Sequence, residues 1–257
     1  MKDKLDYFVS LRILIILTVV TTAVTFMMVP DTARAQGNAV NGEKIYTEYC
    51  IGCHGAKHDG KGNAAANLLI KPRDLTLGVF KFKTTAIGAL PTDEDLKKTL
   101  TYGLSPSSMP SFRLVPDAEK DDLVAYIKTL SDKWKTNYAT KQYLTPAIPD
   151  FVGTKASIEQ GKNIYAQKCY LCHGKDGVRQ NVIFHLRWND ENSADITRPA
   201  DFTYKSIKRG PKVEDIYLSI TTGVEGTPML SFNETLSDND RWNLTSYVLS
   251  IMGKERR

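Results

Sequence analysis

The four cysteines of the chain form two pairs with the same internal spacing. Two residues separate Cys50 from Cys53 and Cys169 from Cys172, and a histidine directly follows each pair. Thiols one helical turn apart can react with two positions of one ligand, bind a metal, or act as a redox dithiol. The adjacent imidazole adds a metal ligand at a fixed place in the chain.

Covalent attachment of a c-type haem uses every residue of a Cys-x-x-Cys-His motif. The thiols form thioethers with the two vinyl groups of one porphyrin, and the histidine becomes an axial ligand of the iron. We therefore predict two covalently bound haem c groups. The predicted attachment and proximal-ligand residues are Cys50, Cys53 and His54 in the first motif and Cys169, Cys172 and His173 in the second.

Other uses of the cysteines fit the sequence less well. The two halves of a zinc site usually lie about 12–20 residues apart, whereas these pairs are 119 residues apart. A thioredoxin-like dithiol needs a βαβ frame, which the sequence pattern does not show. A disulfide within one Cys-x-x-Cys closes a loop too short to add much stability.

The motifs belong to an internal repeat. The matching segments are 42–55 with 161–174, 103–112 with 223–232, and, more loosely, 71–76 with 198–203. Their offsets are 119, 120 and 127 residues, so the second copy gains residues after its cysteines and loses a similar number before residue 223. Two copies of this length indicate a duplicated domain, because solenoid units are shorter and more numerous.

Each copy also carries a methionine at the same place. Met109 follows His54 by 55 residues, and Met229 follows His173 by 56; each lies six residues after a glycine. A thioether is a soft ligand that suits haem iron and, together with histidine, raises the reduction potential. We predict that Met109 and Met229 are the distal axial ligands, although methionine also fills gaps in loops and cores.

Two further histidines are the rival distal ligands. His58 follows His54 too closely to reach the opposite face of a haem, and His185 lies in the insertion of the second copy, without a counterpart in the first. Bis-histidine ligation therefore remains an alternative only for the second haem. Otherwise both are expected to be ordinary loop residues.

Apolar residues at helical spacing predict an all-α fold. The predicted helices are 42–48 and 161–168 before the cysteines, 92–102 and 213–222 before the methionines, and 117–131 and 238–252 at the ends of the copies. No alternating run is long enough to require a sheet. The predicted domains are 36–136 and 155–257, joined by a proline-containing linker at 137–154.

The N-terminus has the order of a secretory signal. Basic residues up to Arg12 precede the uncharged run 13–29, and Ala33 and Ala35 offer a cleavage site. We predict a signal peptide at 1–35, cleavage after Ala35 and a periplasmic location; the alternative is an uncleaved membrane anchor. Since no other stretch could span a bilayer, membrane association would need that anchor or a partner complex.

Composition excludes several classes of protein. The 257 residues are 42% hydrophobic and 25% charged, which is ordinary for a globular protein and unlike a disordered or fibrous chain. The net charge is +5, but no basic run is dense enough to indicate a nucleic-acid partner.

Taken together, the motifs resemble class I cytochrome c domains, and the chain resembles exported dihaem cytochromes c of the broad type that includes cytochrome c4. Residues 71–83 look more like cytochrome subunits that accompany respiratory oxidoreductases. The resemblance implies that Gly42 and Tyr46, and likewise Gly161 and Tyr165, lie where the first and last helices cross, near Tyr126 and Tyr247. It also suggests that Lys71, Arg73 or Arg198 binds haem propionates.

A haem with both axial positions filled by protein has no site for a substrate. The sequence therefore favours an electron-transfer protein that relays single electrons between a redox donor and a redox acceptor, rather than an enzyme. The alternative is a dihaem enzyme of the peroxidase or thiosulfate dehydrogenase type with an open or labile distal site. The latter type uses a cysteine ligand, and the chain has no fifth cysteine. A small-ligand sensor or a haem-bearing structural subunit is the third possibility.

Overall fold

A computed structural model describes residues 37–104, 107–136, 147–178, 184–187, 194–204, 207–210 and 212–253. At 184–187 and 194–197 it describes the backbone alone. The predicted signal peptide and residues 137–146 of the predicted linker lie outside the described residues. The predicted domain boundaries stay predictions.

The described part of the chain is built mainly from helices, as predicted. In the first repeat they are α1 (Ala39–Tyr49), α2 (Ile51–His54), α3 (Asp93–Tyr102) and α4 (Asp117–Thr129). In the second repeat they are α5 (Lys155–Lys168), α6 (Tyr170–His173), α7 (Val213–Thr222) and α8 (Asp238–Ile251). Three short 3₁₀ turns lie at Ala65–Asn67, Asp132–Lys135 and Lys175–Gly177.

The insertion of the second repeat contains a small β-hairpin that the sequence did not predict. Strands β1 (Phe184–Arg187) and β2 (Ala194–Thr197) pair antiparallel, with Phe184 opposite Thr197. Each strand has four residues, too few for an alternating pattern to distinguish it from a loop. The hairpin adds to an otherwise helical fold.

Side-chain caps set where the long helices begin. Asn38 accepts hydrogen bonds from the backbone N–H groups of Val40 and Asn41, so α1 starts three residues before the predicted 42. Thr92 and Asp95 form a reciprocal capping box at the start of α3. Such caps satisfy N–H groups that have no partner within the helix.

The first and last helices of each repeat cross at a glycine, as the resemblance implied. A Cβ added at Gly42 would lie 2.1 Å from the carbonyl oxygen of Asp122, and one at Gly161 would lie 2.0 Å from that of Asn243. Glycine therefore permits a backbone contact that no other residue allows at these positions. The crossing packs α1 or α5, the helix that leads into the cysteines, against the last helix of its repeat.

Each repeat has its own hydrophobic core. The first includes Ile45, Leu96, Leu100, Leu123 and Ile127. The second includes Phe202, Ile216, Leu244, Val248 and Ile251. In both, the core joins the three long helices of one repeat, so each repeat buries its own apolar surface.

Charged side chains, most of them buried, join the two repeats. Lys83 of the first repeat, 2% exposed, pairs with Glu225 of the second. Lys98 on α3 pairs with Asp215 on α7. Arg209 donates from Nη1 to the carbonyl oxygen of Lys83 over 2.9 Å. The described residues from Gly37 onward accordingly form one compact unit.

Candidate functional site

The cysteine motifs lie on a short helix that follows the first long helix of each repeat. Cys50 ends α1, and the N–H groups of Cys53 and His54 donate to its carbonyl oxygen over 3.1 and 2.9 Å. The single turn α2 therefore places both thiols and the imidazole within one helical turn. Gly55 ends that turn at φ 79°, a conformation that favours glycine.

The second motif repeats this geometry. The N–H groups of Cys172 and His173 donate to the carbonyl oxygen of Cys169 over 3.2 and 2.9 Å, and Gly174 has φ 74°. Within the described residues, the four cysteines form no disulfide. Burial and then the neighbouring thiol raise the pKa of Cys50 to about 11 and that of Cys169 to about 12. A reactive redox dithiol needs a thiol of lowered pKa, and the pKa shifts of Cys50 and Cys169 have the opposite direction.

A buried tyrosine fixes the end of each motif. The hydroxyl of Tyr46 donates to the carbonyl oxygen of Gly55 over 2.8 Å, and that of Tyr165 donates to Gly174 over 2.9 Å. The rings pack on tyrosines of the last helix, with centroids 5.5 Å apart for Tyr46 and Tyr126. The corresponding pair in the second repeat is 5.0 Å apart. The predicted tyrosine partners of the helix crossing are therefore confirmed.

Backbone carbonyls orient the two motif histidines. Nδ1 of His54 lies 3.0 Å from the carbonyl oxygen of Arg73, and Nδ1 of His173 lies 3.1 Å from that of Ala200. A carbonyl oxygen only accepts, so Nδ1 carries the proton and Nε2 keeps its lone pair for a metal. Burial lowers the pKa of both imidazoles, which favours this neutral form.

The loop that carries these carbonyls has the same internal bonds in both repeats. Asp74 accepts from the N–H and hydroxyl of Thr76 over 2.9 and 2.6 Å. Asp201 accepts from the same groups of Thr203 over 3.0 and 2.5 Å. The repeated Pro-x-Asp-x-Thr pattern thus builds a rigid turn behind the histidine. From the sequence, we predicted a role for the side chains of this repeat as propionate partners. A backbone carbonyl that orients a histidine cannot be recognised from the sequence, because any residue can supply it.

The two methionine loops are also built alike. The N–H of Leu104 donates to the carbonyl oxygen of Met109 over 3.1 Å, and that of Val224 donates to Met229 over 2.9 Å. A Cβ at Gly103 or Gly223 would lie 2.7 or 2.8 Å from these same oxygens. Each glycine therefore permits the tight turn that presents its methionine.

In the first repeat the predicted site residues meet around one cavity. It has about 1380 Å³ of atom-free space, counted out to its open mouth. Cys50, Cys53, His54 and Met109 all line it. Most of the remaining wall is apolar and includes Leu68, Ile70, Leu75, Phe80, Leu96 and Leu100. This donor set and apolar wall fit a covalently held haem with histidine and methionine as axial ligands.

The second repeat has the same hydrogen-bonded frame around Cys169, Cys172, His173 and Met229. It differs within the Pro-x-Asp-x-Thr turn, at the residue between the aspartate and the threonine, where Phe202 stacks on His173 with ring centroids 4.9 Å apart. In the first repeat that position is Leu75. The two frames are therefore alike in their candidate ligands and different in the packing around the motif histidine.

His58, a rival distal ligand, and Lys71, a predicted propionate partner, both contact other parts of the fold. Nε2 of His58 lies 2.7 Å from the hydroxyl oxygen of Tyr126, so this nitrogen already has a partner within the fold. The ammonium of Lys71 donates to the carbonyl oxygens of Ala65 and Ala66, each over 3.0 Å, rather than standing free for a propionate.

Of the other two predicted propionate partners, Arg73 lines the cavity and Arg198 is exposed. The side chain of His185 lies outside the described residues. Within the described part of the chain, helices are too short or too polar to cross a lipid bilayer.

Comparison with known proteins identifies the family. The family described as cytochrome C oxidase, cbb3-type, subunit III matches residues 37–127 and again 156–248. No curated protein matches the chain. Among solved structures, a chain of the reducing HAO-like protein complex of Kuenenia stuttgartiensis is 34% identical, with a TM-score of 0.75, and the match covers 84% of this chain and 98% of that one. With its two family matches on two Cys-x-x-Cys-His repeats, the protein belongs to the class I c-type cytochromes.

Proposed function

We propose that the protein is an exported dihaem cytochrome c that transfers electrons one at a time between redox protein partners. The observation that carries this proposal is the meeting of Cys50, Cys53, His54 and Met109 around one apolar cavity. A haem held there supplies reversible one-electron exchange at its iron. The equivalent residues of the second repeat would hold the second haem.

The chain's own residues have separate tasks in this function. The cysteines would anchor the porphyrin, and the carbonyl oxygens of Arg73 and Ala200 hold the histidines in the tautomer that can bind iron. Met109 and Met229 would fill the distal positions and exclude exogenous ligands. The ion pairs between the repeats hold the two sites in one unit, so transfer between them needs no diffusion of one repeat toward the other.

The stoichiometry can be measured directly. Denaturing mass spectrometry of the protein, produced in a host that attaches haem c, should give the polypeptide mass plus two haems. The same spectrum tests the proposed export, because cleavage after Ala35 makes Gln36 the first residue. Haem that is lost in acidified organic solvent would contradict covalent attachment.

Carbon monoxide distinguishes an electron carrier from the rival dihaem enzyme or sensor. The reduced, undenatured protein should keep its spectrum under carbon monoxide, because a methionine occupies each distal position. Met109→Ala and Met229→Ala should each open one haem to the gas and serve as positive controls. Binding by the unmodified protein would favour an enzyme or a sensor.

A similar solved protein points to the kind of partner. The related Kuenenia chain comes from a protein complex, which supports the proposal that this cytochrome also works as a subunit beside a redox donor or acceptor. Copurification from the native source, followed by reduction of the purified cytochrome with each retained partner, tests this. A cytochrome that elutes alone and accepts electrons only from small reductants would contradict it.

A further inference from the structure

The cavity of the first repeat is completed by a residue of the second. Lys208 lines it together with Cys50, His54 and Met109. This lysine follows the second cysteine motif in the chain and lies in the short turn between Ile207 and Gly210, where the N–H of Gly210 donates to Ile207 over 3.0 Å.

The neighbouring arginine fixes the position of this turn. Arg209 is buried and donates to the carbonyl oxygen of Lys83 in the first repeat over 2.9 Å. It also donates to the hydroxyls of Ser219 and Thr222 in the second repeat over 3.1 and 2.9 Å. Because Arg209 bridges both repeats, the adjacent Lys208 is held at the cavity by the interface itself.

The cavity wall carries cations without acidic residues. Among the described residues, its charged lining residues are Lys71, Arg73, Lys81 and Lys208, with neither aspartate nor glutamate. Burial, and then the charge of Arg73, lower the pKa of Lys208. Among the described residues, Lys208 forms no hydrogen bond or ion pair. Two cations that face one partly buried space repel each other unless an anion lies between them.

We propose that Lys208 binds a propionate of the haem held in the first repeat, so that the second repeat supplies part of the first haem's binding site. This inference rests on the proposed function, since it requires a haem in that cavity. An apolar wall with cations and no carboxylates suits a flat hydrophobic ligand that carries carboxylate groups. Lys208 is then a binding residue that links one repeat to the cofactor of the other.

Redox titration of Lys208→Gln in the intact dihaem protein tests the proposal. Loss of a nearby positive charge favours the oxidised haem, so the reduction potential of the first-repeat haem should fall. The reduction potential of the second-repeat haem should not change. We expect a change on the order of threefold to tenfold in that equilibrium constant, which is about 28 to 59 mV for a one-electron couple. Met109→Ala, which displaces only the first haem's step, assigns the steps.

Two matched variants make the result decisive. Lys208→Arg keeps the charge and should restore the first potential to near its original value. Lys162→Gln removes an exposed lysine of the second repeat and should move neither step. Equal shifts in both steps, an equal shift in Lys162→Gln, or no shift in Lys208→Gln would overturn the role of Lys208. Absence of haem at Cys50 and Cys53 would instead refute the proposed function.

Discussion

The imidazole of His173 lies face to face with the ring of Phe202, with centroids 4.9 Å apart and planes 11° apart. Phe202 also donates its N–H to the carbonyl oxygen of Gly177 over 3.0 Å. At the same point of the first repeat, the N–H of Leu75 donates to the carbonyl oxygen of His58 over 2.8 Å. The backbone frame is thus shared, and the side chain beside the histidine distinguishes the two sites.

Phe202→Leu should make the second site resemble the first. Loss of the stacked ring lets water closer to the proximal side, which favours the charged, oxidised haem and lowers the second potential. The cost in stability should be about 1 kcal/mol. Redox titration measures the change, and the first-repeat step is the internal control. A second step that does not move would contradict the tuning role of Phe202.

The glycines at the helix crossings should be essential to stability. Gly42→Ala and Gly161→Ala place a Cβ about 2 Å from a carbonyl oxygen, so each should lower the free energy of unfolding by about 1–3 kcal/mol. Guanidinium chloride denaturation followed by circular dichroism measures this. Gly52→Ala is the matched control, because its added Cβ would meet nothing within 4 Å beyond its own helical turn. Equal losses in all three variants would show that the crossings do not need glycine.

The hydroxyl of Tyr46 should stabilise the fold in a pH-dependent way. Burial raises its pKa, so its contribution is present below the unfolded pKa of about 10 and is lost as the pH rises beyond that value. Tyr46→Phe should cost about 1 kcal/mol at neutral pH, since it removes the bond to Gly55.

The difference between Tyr46→Phe and the unmodified protein should narrow above about pH 10. Unfolding curves at several pH values test both the loss of stability at neutral pH and its narrowing at high pH. Tyr102→Phe, at a 69% exposed position, should leave stability unchanged at neutral pH and serves as the control. A stability difference between the two proteins that widens with rising pH would contradict the raised pKa of Tyr46 in the folded state.

Much of this arrangement follows from the sequence, and the exceptions have physical causes. Cys-x-x-Cys-His and the glycine–tyrosine pairs are local patterns, so the motif helices and the crossings were predictable. The carbonyl oxygens of Arg73 and Ala200 were not, because any residue could supply them. Lys208 was missed because repeat matching compares equivalent positions and does not reveal which residue of one copy faces the other.

The proposed methionine ligands predict a spectroscopic signature. Oxidised haem with histidine and methionine ligands has a weak sulfur-to-iron band near the red end of the visible spectrum. Met109→Ala and Met229→Ala should each remove about half of this band, because each methionine serves one of two haems. Visible spectra at equal haem concentration measure it. A band that survives unchanged in either variant would refute that methionine as a ligand.

Redox titration of the intact, unmodified protein tests the central claim most directly. Two haems with matched ligands, different proximal packing and no open position should titrate as two one-electron steps of equal amplitude at different potentials. A single one-electron step that accounts for both haems would show that the sites are equivalent and would contradict the relay between them.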